Sequence, residues 1–422
     1  MKYLILLSIT LSFNTYSQIH RIKSLDLDSN DKQFRLLSKI TKNAKVIGLG
    51  ESAHGVKEYA QARTRLIKYL IEKENFRLIV NESGYYSTEK INDYLMKCTN
   101  EAPSLEALDK LMSTVGKSEK TQESKEMINW LCQFNTKNQE SVRFHGIDQW
   151  ETPWTTRNLI HTGVKLYNDQ KINTLYENLV ENCFAWKANS WDEARQFEQF
   201  DYVLQTWRLD PEKHRQCVGS LHNIQRALQK ITKDNEVTFW MKTALRVSMV
   251  YQKYRNLYVM ETSKALNLRD DLQAYLTLRW VYKYESKKKA ILLAHNIHIS
   301  KKQSDVIPRF PGEPYKWVNV ISTGQNLVAH FGNKYKAIAI TGFDVQSSRA
   351  GQYPLPDDEE SLDLALSNIG DILLVNPKTK WISKQDKWWM HTEGYKNGMY
   401  LSPQTQYDGI FFIKEAISVT PL

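Results

Sequence analysis

Short, continuous apolar runs alternate along this chain with longer stretches of helical period. Lys45–Gly50 (KVIGLG), Arg77–Glu82 (RLIVNE), Val142–Asp148 (VRFHGID) and Ala290–His295 (AILLAH) are such runs. Each predicts a strand buried on both faces, as in a parallel sheet. Ala337–Phe343, Asp371–Val375 and Gly409–Ile413 predict later strands. Between the first two runs, Val56, Tyr59, Ala60, Ile67 and Leu70 fall on one stripe of a helix spanning Val56 to Lys73. Ile91–Cys98, Ser104–Val115 and Ser124–Phe134 predict further helices, and Trp154–Tyr284 carries helical periodicity without a strand. Strand–helix alternation implies an α/β fold with a mainly parallel sheet and a large helical insertion. The expected organisation is a core formed by residues 18–153 and 285–422, with residues 154–284 as a helical subdomain or lid.

Composition adds limits. The 422 residues are 41% hydrophobic and 25% charged, which excludes extensive disorder. The net charge of +10 comes from Lys and Arg mixed with Asp and Glu along the whole chain, so no nucleic-acid or membrane partner is expected. The longest basic run, Lys287–Lys289, reads as solvated lysines protecting a sheet edge. Lys2, the apolar stretch Tyr3–Phe13 and the residues Thr15, Tyr16 and Ser17 read as a secretory signal over residues 1–17, cleaved before Gln18. An exported, periplasmic protein is therefore expected; without use of the signal it would be cytoplasmic. No later segment is long and apolar enough to span a bilayer as a helix. Cys98, Cys132, Cys183 and Cys217 allow three pairings, and the sequence selects none.

The candidate chemistry lies where the apolar runs stop. The first run is followed by Glu51 and His54, the second ends on Glu82, the third on Asp148, and the fourth leads into His295, Asn296 and His298. Parallel strands share a carboxyl edge, and ligands of α/β sheets bind beyond it. Two arginines point the same way. Arg63 lies on the apolar stripe of its helix, and Arg269 shares a face with Leu272, Leu276 and Trp280. A guanidinium on an apolar face needs a partner, and Glu51, Glu82 or Asp148 would supply it. Hydrolysis of an ester needs a base for water and donors for the developing oxyanion. Histidines beside carboxylates suit the first role, and histidines and arginines the second.

Other readings compete. Gly48-x-Gly50-x-x-Ala53 fits a loose dinucleotide fingerprint, but Glu51 would repel a pyrophosphate there. Glu51-x-x-His54 with His295-x-x-His298 has the residue types of a zinc or iron site, so a metal-dependent hydrolase of another ester or amide stays open. A non-catalytic exported ligand-binding protein is the third possibility. Neither G-x-S-x-G nor H-E-x-x-H occurs, and Ser52 reads as a helix N-cap.

Together these residues resemble the erythromycin esterase family. The resemblance is carried by the Gly48–Gly55 segment GLGESAHG, with Ala53 where the family usually has Thr, and by Arg63 and Glu82. It continues through Gly146-Ile147-Asp148, Arg269-Asp270 and Ala294-His295-Asn296-Ile297-His298. Gly324, Leu327 and Gly332-x-x-Tyr335 extend it toward the C-terminus. The resemblance implies a three-layer α/β/α core with a helical subdomain over a large cleft. It implies hydrolysis of a macrolide lactone, with water as co-substrate and no metal or other cofactor, and hence macrolide resistance. It makes His54 the general base and Glu51 its orienting group, with Glu82, His295 and His298 completing the catalytic set. Arg63, Arg269, Asp148 and Asn296 are the expected substrate-binding residues. Trp186, Trp191, Phe197, Phe200 and Trp207 are candidates to line an apolar lid, although their helical spacing reads as core.

Overall fold

A computed structural model describes residues 18–101, 103–116, 119–151, 153–167, 169–183, 211–229, 235–258, 261–283, 288–308, 318–391 and 398–422. The signal segment and the five candidate lid aromatics lie outside these residues. The strands are β1 (Ile19–Arg21), β2 (Val46–Leu49), β3 (Phe76–Gly84), β4 (Arg143–Asp148), β5 (Lys289–Leu293) and β6 (Ile307–Pro308). They continue as β7 (Tyr335–Ser347), β8 (Gly351–Gln352), β9 (Ile372–Val375), β10 (Trp388–Met390), β11 (Met399–Leu401) and β12 (Gly409–Ala416). The main sheet has the order β1-β9-β12-β7-β2-β5-β3-β4, with β8 paired to β7. The interior strands β12, β7, β2, β5 and β3 pair in parallel, while β9 and β1 add antiparallel at one side. This is the expected α/β/α class.

Two compact units make up the chain. The first comprises residues 1–82, 87–147 and 273–422, the second residues 83–86 and 148–272. In the first unit, all four residues of β2 are buried, so both faces of the sheet centre are covered. On one face Ile47, Leu49, Ile291 and Leu293 pack with Leu66, Ile67 and Leu70 of the Lys57–Glu74 helix. Burying each of these side chains stabilises by about 1.5–3 kcal/mol. The helix ends at Asn75, whose left-handed backbone, with φ of 58°, lets its N–H cap Leu70 O. Cys98 and Cys132 are joined in this unit.

The strand order creates the site. After β2 the chain crosses to β3, beyond β5; after β5 it returns through the Thr323–Phe331 helix to β7, on the other side of β2. Right-handed crossovers in opposite directions put their helices on opposite faces. The carboxyl ends of β2 and β5 therefore part at a switch point, where open α/β sheets leave a crevice. The glycines of GLG have a packing cause. A Cβ at Gly48 would lie 2.8 Å from Ile299 Cβ, and one at Gly50 would lie 2.0 Å from Asn296 Oδ1. The two sequence segments thus meet face to face, and only glycine lets them do so.

The second unit is helical, with Pro153–Lys165, Gln170–Cys183, Pro211–Gln229, Glu236–Tyr258 and the start of Thr262–Lys283. Cys183 and Cys217 tie two of its helices together. Among the described residues no helix is long and apolar enough to cross a membrane. Three local expectations are corrected. Lys289 sits on the interior strand β5 rather than at an edge, and faces Glu74 at 4.0 Å. Val56, not Ser52, precedes the first turn of the Lys57–Glu74 helix, and Ser52 Oγ instead bonds Tyr59 OH at 3.1 Å. The run read as Ala337–Phe343 extends to Ser347 because β7 pairs with β12 as far as Val345 and then, at Gln346 and Ser347, with β8.

Candidate active site

Beyond the end of β2 the chain turns so that Glu51 and His54 meet. His54 Nδ1 lies 2.6 Å from Glu51 Oε1. The other carboxylate oxygen faces Arg63 Nη1 at 3.1 Å. Arg63 reaches further: it donates to Gly50 O at 3.2 Å, Leu49 O at 3.2 Å and Ala294 O at 2.5 Å. One guanidinium therefore bolts the carboxyl ends of β2 and β5 together while neutralising Glu51. Its donors are largely consumed by this work, which makes it a clamp on the site's frame rather than an open substrate donor.

Beyond β5, His295 begins the short Asn296–Ile299 helix, which brings His298 to the same place. Glu82 on β3 receives both: His295 N–H donates to Oε2 at 2.9 Å, and His298 Nε2 lies 3.1 Å from Oε1. His295 Nδ1 is 3.7 Å from Oε2. The two halves join through the rings of His54 and His295, whose centroids are 3.8 Å apart. A cavity is lined by Glu51, His54 and Glu82 together with Met127, Ile128 and Phe144.

The electrostatics set the protonation states. Burial raises the Glu51 carboxyl, but the Arg63 charge and the His54 hydrogen bond outweigh it and hold it at about 2. Glu51 is thus an anion that fixes the proton of His54 on Nδ1. Nε2 is left as an acceptor, with no hydrogen bond among the described residues, on a side chain 31% exposed. Burial and the adjacent His54 lower His295 to about 4, against the pull of Glu82 and Glu51. His295 is therefore neutral near pH 7 and can donate a hydrogen bond without carrying charge.

These shifts predict how stability depends on pH. The folded pKa of His295, about 4, lies below the ordinary 6.5, so between those values the unfolded chain binds a proton that the folded chain does not. Stability falls as pH falls through that window. Glu51, lowered from 4.5 to about 2, adds stability that is full above 4.5 and lost as pH falls toward 2. Melting temperature should decline from neutral pH down to pH 4, and His295→Gln should flatten the part between 6.5 and 4. Parallel curves for the two proteins would refute the assignment to His295.

Three expected site residues have their side chains engaged within the protein. Asn296 is fully buried, its Nδ2 donating to Ile340 O at 2.8 Å and its Oδ1 accepting from Ile340 N at 3.1 Å. It is turned into the sheet, holding the second segment on β7, and its amide is not available to a substrate. Asp148 and Arg269 pair with each other in the helical unit. Arg269 Nε and Nη2 reach the two carboxylate oxygens at 3.1 and 2.5 Å, with the guanidinium 5.9 Å from the Trp150 ring. The sequence reading missed the cavity walls Met127 and Ile128, whose helical spacing looks like any amphipathic stripe.

Two residue groups have the ligand types of a metal site: Glu51, His54 and His295, and Glu82, His295 and His298, each with its atoms within 4.8 Å. In the first, Arg63 already occupies one carboxylate oxygen at 3.1 Å, and a second cation there would be repelled. The second group offers one carboxylate and two imidazoles on adjoining strand ends, a donor set that suits a zinc-type ion.

Known proteins resemble this chain over most of its length. The family model described as Erythromycin esterase matches residues 71–416. The erythromycin esterase type II of Escherichia coli is 22% identical over 346 residues, covering 78% of this chain and 76% of that protein. A crystal structure of a Bacillus cereus protein superposes with a TM-score of 0.76 at 18% identity, covering 96% of this chain and 97% of the other. An erythromycin esterase mutant in its open conformation gives 0.69 at 18% identity, covering 94% and 98%.

Proposed function

The chain belongs to the erythromycin esterase family of ester hydrolases, and on that premise we propose that it opens the lactone of macrolide antibiotics with water, conferring macrolide resistance from an exported location. The observation that carries the reading is the Glu51–His54 dyad, clamped by Arg63 at the sheet's switch point and open to a cavity. His54 Nε2 takes a proton from water as the oxygen attacks the lactone carbonyl. Glu51 holds the Nδ1 proton and stabilises the imidazolium that forms. His295, whose backbone N–H is held by Glu82, donates toward the developing oxyanion, while His298 spends its ring N–H on Glu82 and fixes that carboxylate in place. When the tetrahedral intermediate collapses, the C–O bond to the ring breaks and His54 returns its proton to the departing alkoxide. The macrolide is supported by the family and by the name of the Escherichia coli relative.

The test is direct. Purified protein incubated with a 14-membered macrolide such as erythromycin, and in parallel with a 16-membered one, should add one water to at least one of them by mass spectrometry. A folded protein that leaves both unchanged refutes macrolides as substrates. The competing reading is a metal-assisted hydrolase, favoured by the Glu82, His295 and His298 group. Activity should survive exhaustive chelation; loss on chelation and recovery with zinc would replace the metal-free reading with that one.

A further inference from the structure

The backbone of the loop that carries His54 is held from outside its own segment. Gly55 O accepts from Ser348 N at 3.0 Å and from Val419 N at 3.1 Å. Lys57 N donates to Ile417 O at 2.8 Å. His54 O has a side-chain partner: Ser347 Oγ donates to it at 2.7 Å. Ser347 is the last residue of β7, is 3% exposed, and precedes the tight turn into β8. Its oxygen also accepts from Arg349 N at 3.0 Å and Ala350 N at 3.2 Å. A hydroxyl has one donor and two acceptor sites, and here all three are filled. The two turn N–H groups occupy the lone pairs, so the hydroxyl proton is directed at His54 O.

We propose that Ser347 is a positioning residue for the base His54, fixing the peptide from which the imidazole projects toward Glu51 and the His295 ring. The proposal rests on the reading of His54 as base. The loop itself resists an alternative fit. Gly55 has φ of +70°, a left-handed conformation, and a Cβ there would lie 2.1 Å from Ser348 Oγ. The loop is held on one side of the His54–Gly55 peptide at Gly55 O, by Ser348 N and Val419 N, and at the peptide's own carbonyl by the Ser347 hydroxyl. Without that hydroxyl, His54 O and two turn N–H groups lose their partner together, and the peptide loses its side-chain anchor.

The experiment compares Ser347→Ala and Ser347→Thr with wild type for lactone hydrolysis. A displacement of the base by a fraction of an ångström to an ångström costs rate rather than binding, so Ser347→Ala should lower kcat about 10- to 100-fold with KM within about twofold. Ser347→Thr, which keeps the hydroxyl, should stay within about threefold of wild type. If the Ala variant fails to fold, Ser347→Cys, with its weaker donor, carries the same expectation. In a His54→Ala background, Ser347→Ala should cause no further loss. An equal loss in both backgrounds would overturn the proposal. A readout independent of activity is the NMR signal of the His54 ring, assigned by its disappearance in His54→Gln. It should be single in wild type and Ser347→Thr, and broadened or doubled in Ser347→Ala; an unchanged signal also overturns the proposal. If His54→Ala retains activity, the base reading fails, and the ring signal still decides whether Ser347 fixes His54.

Discussion

His54→Ala is expected to lower kcat/KM for the lactone by about 10²- to 10⁴-fold, the usual contribution of a positioned base, while the protein keeps its fold. The second half of that expectation matters as much as the first. The His54 side chain is 31% exposed, and removing a partly exposed ring from a cavity wall leaves no large void. Its partner Glu51 keeps Arg63 at 3.1 Å and so does not become an unpaired buried charge. Activity should therefore fall without a comparable fall in melting temperature. Kinetics and thermal unfolding on the same preparation check it. A variant as active as wild type would remove His54 from the mechanism.

Arg63→Met should act on both stability and activity. The guanidinium neutralises Glu51 and donates to the carbonyls of Gly50, Leu49 and Ala294. Breaking one side of a buried ion pair costs about 3–5 kcal/mol, because the remaining charge loses its partner in a poor solvent. With the largest force holding Glu51 ionised removed, its pKa should rise and its grip on the His54 proton weaken. Urea unfolding should show a midpoint well below wild type at neutral pH. The double variant Arg63→Met/Glu51→Gln should recover part of the lost stability, because the orphaned carboxylate is gone, and none of the activity. A wild-type midpoint for Arg63→Met would show that Glu51 does not depend on this pair.

Much of this was legible in the chain. Continuous apolar runs mark strands whose two faces must both be covered, and Lys45–Gly50, Arg77–Glu82, Val142–Asp148 and Ala290–His295 lie at β2, β3, β4 and β5. Arg63 on an apolar stripe required a carboxylate, and Glu51 is that carboxylate. Arg269 required one as well, and finds Asp148. Residue type by itself went less far. His145 is as chemically capable as His54 and also sits 2.6 Å from a carboxylate, that of Glu89. It is fully buried and stacked on Trp280 at 3.8 Å, and burial holds its pKa well below the ordinary value. It is a core residue, and no local pattern separates it from the histidines of the site.

The sequence by itself determined the α/β class, the strand ends that carry polar groups, and the need of each apolar-face arginine for a buried acid. These follow from periodicity and from the cost of burying charge, which are properties of a segment and its solvent. Tertiary structure decided which polar strand ends meet. It placed β5 between β2 and β3, joined Glu51–His54 to Glu82–His295–His298, turned Asn296 into the sheet, and brought Ser347 to the carbonyl of His54. Strand order and long-range hydrogen bonds depend on crossover direction and on packing between segments hundreds of residues apart. No window of sequence contains both partners.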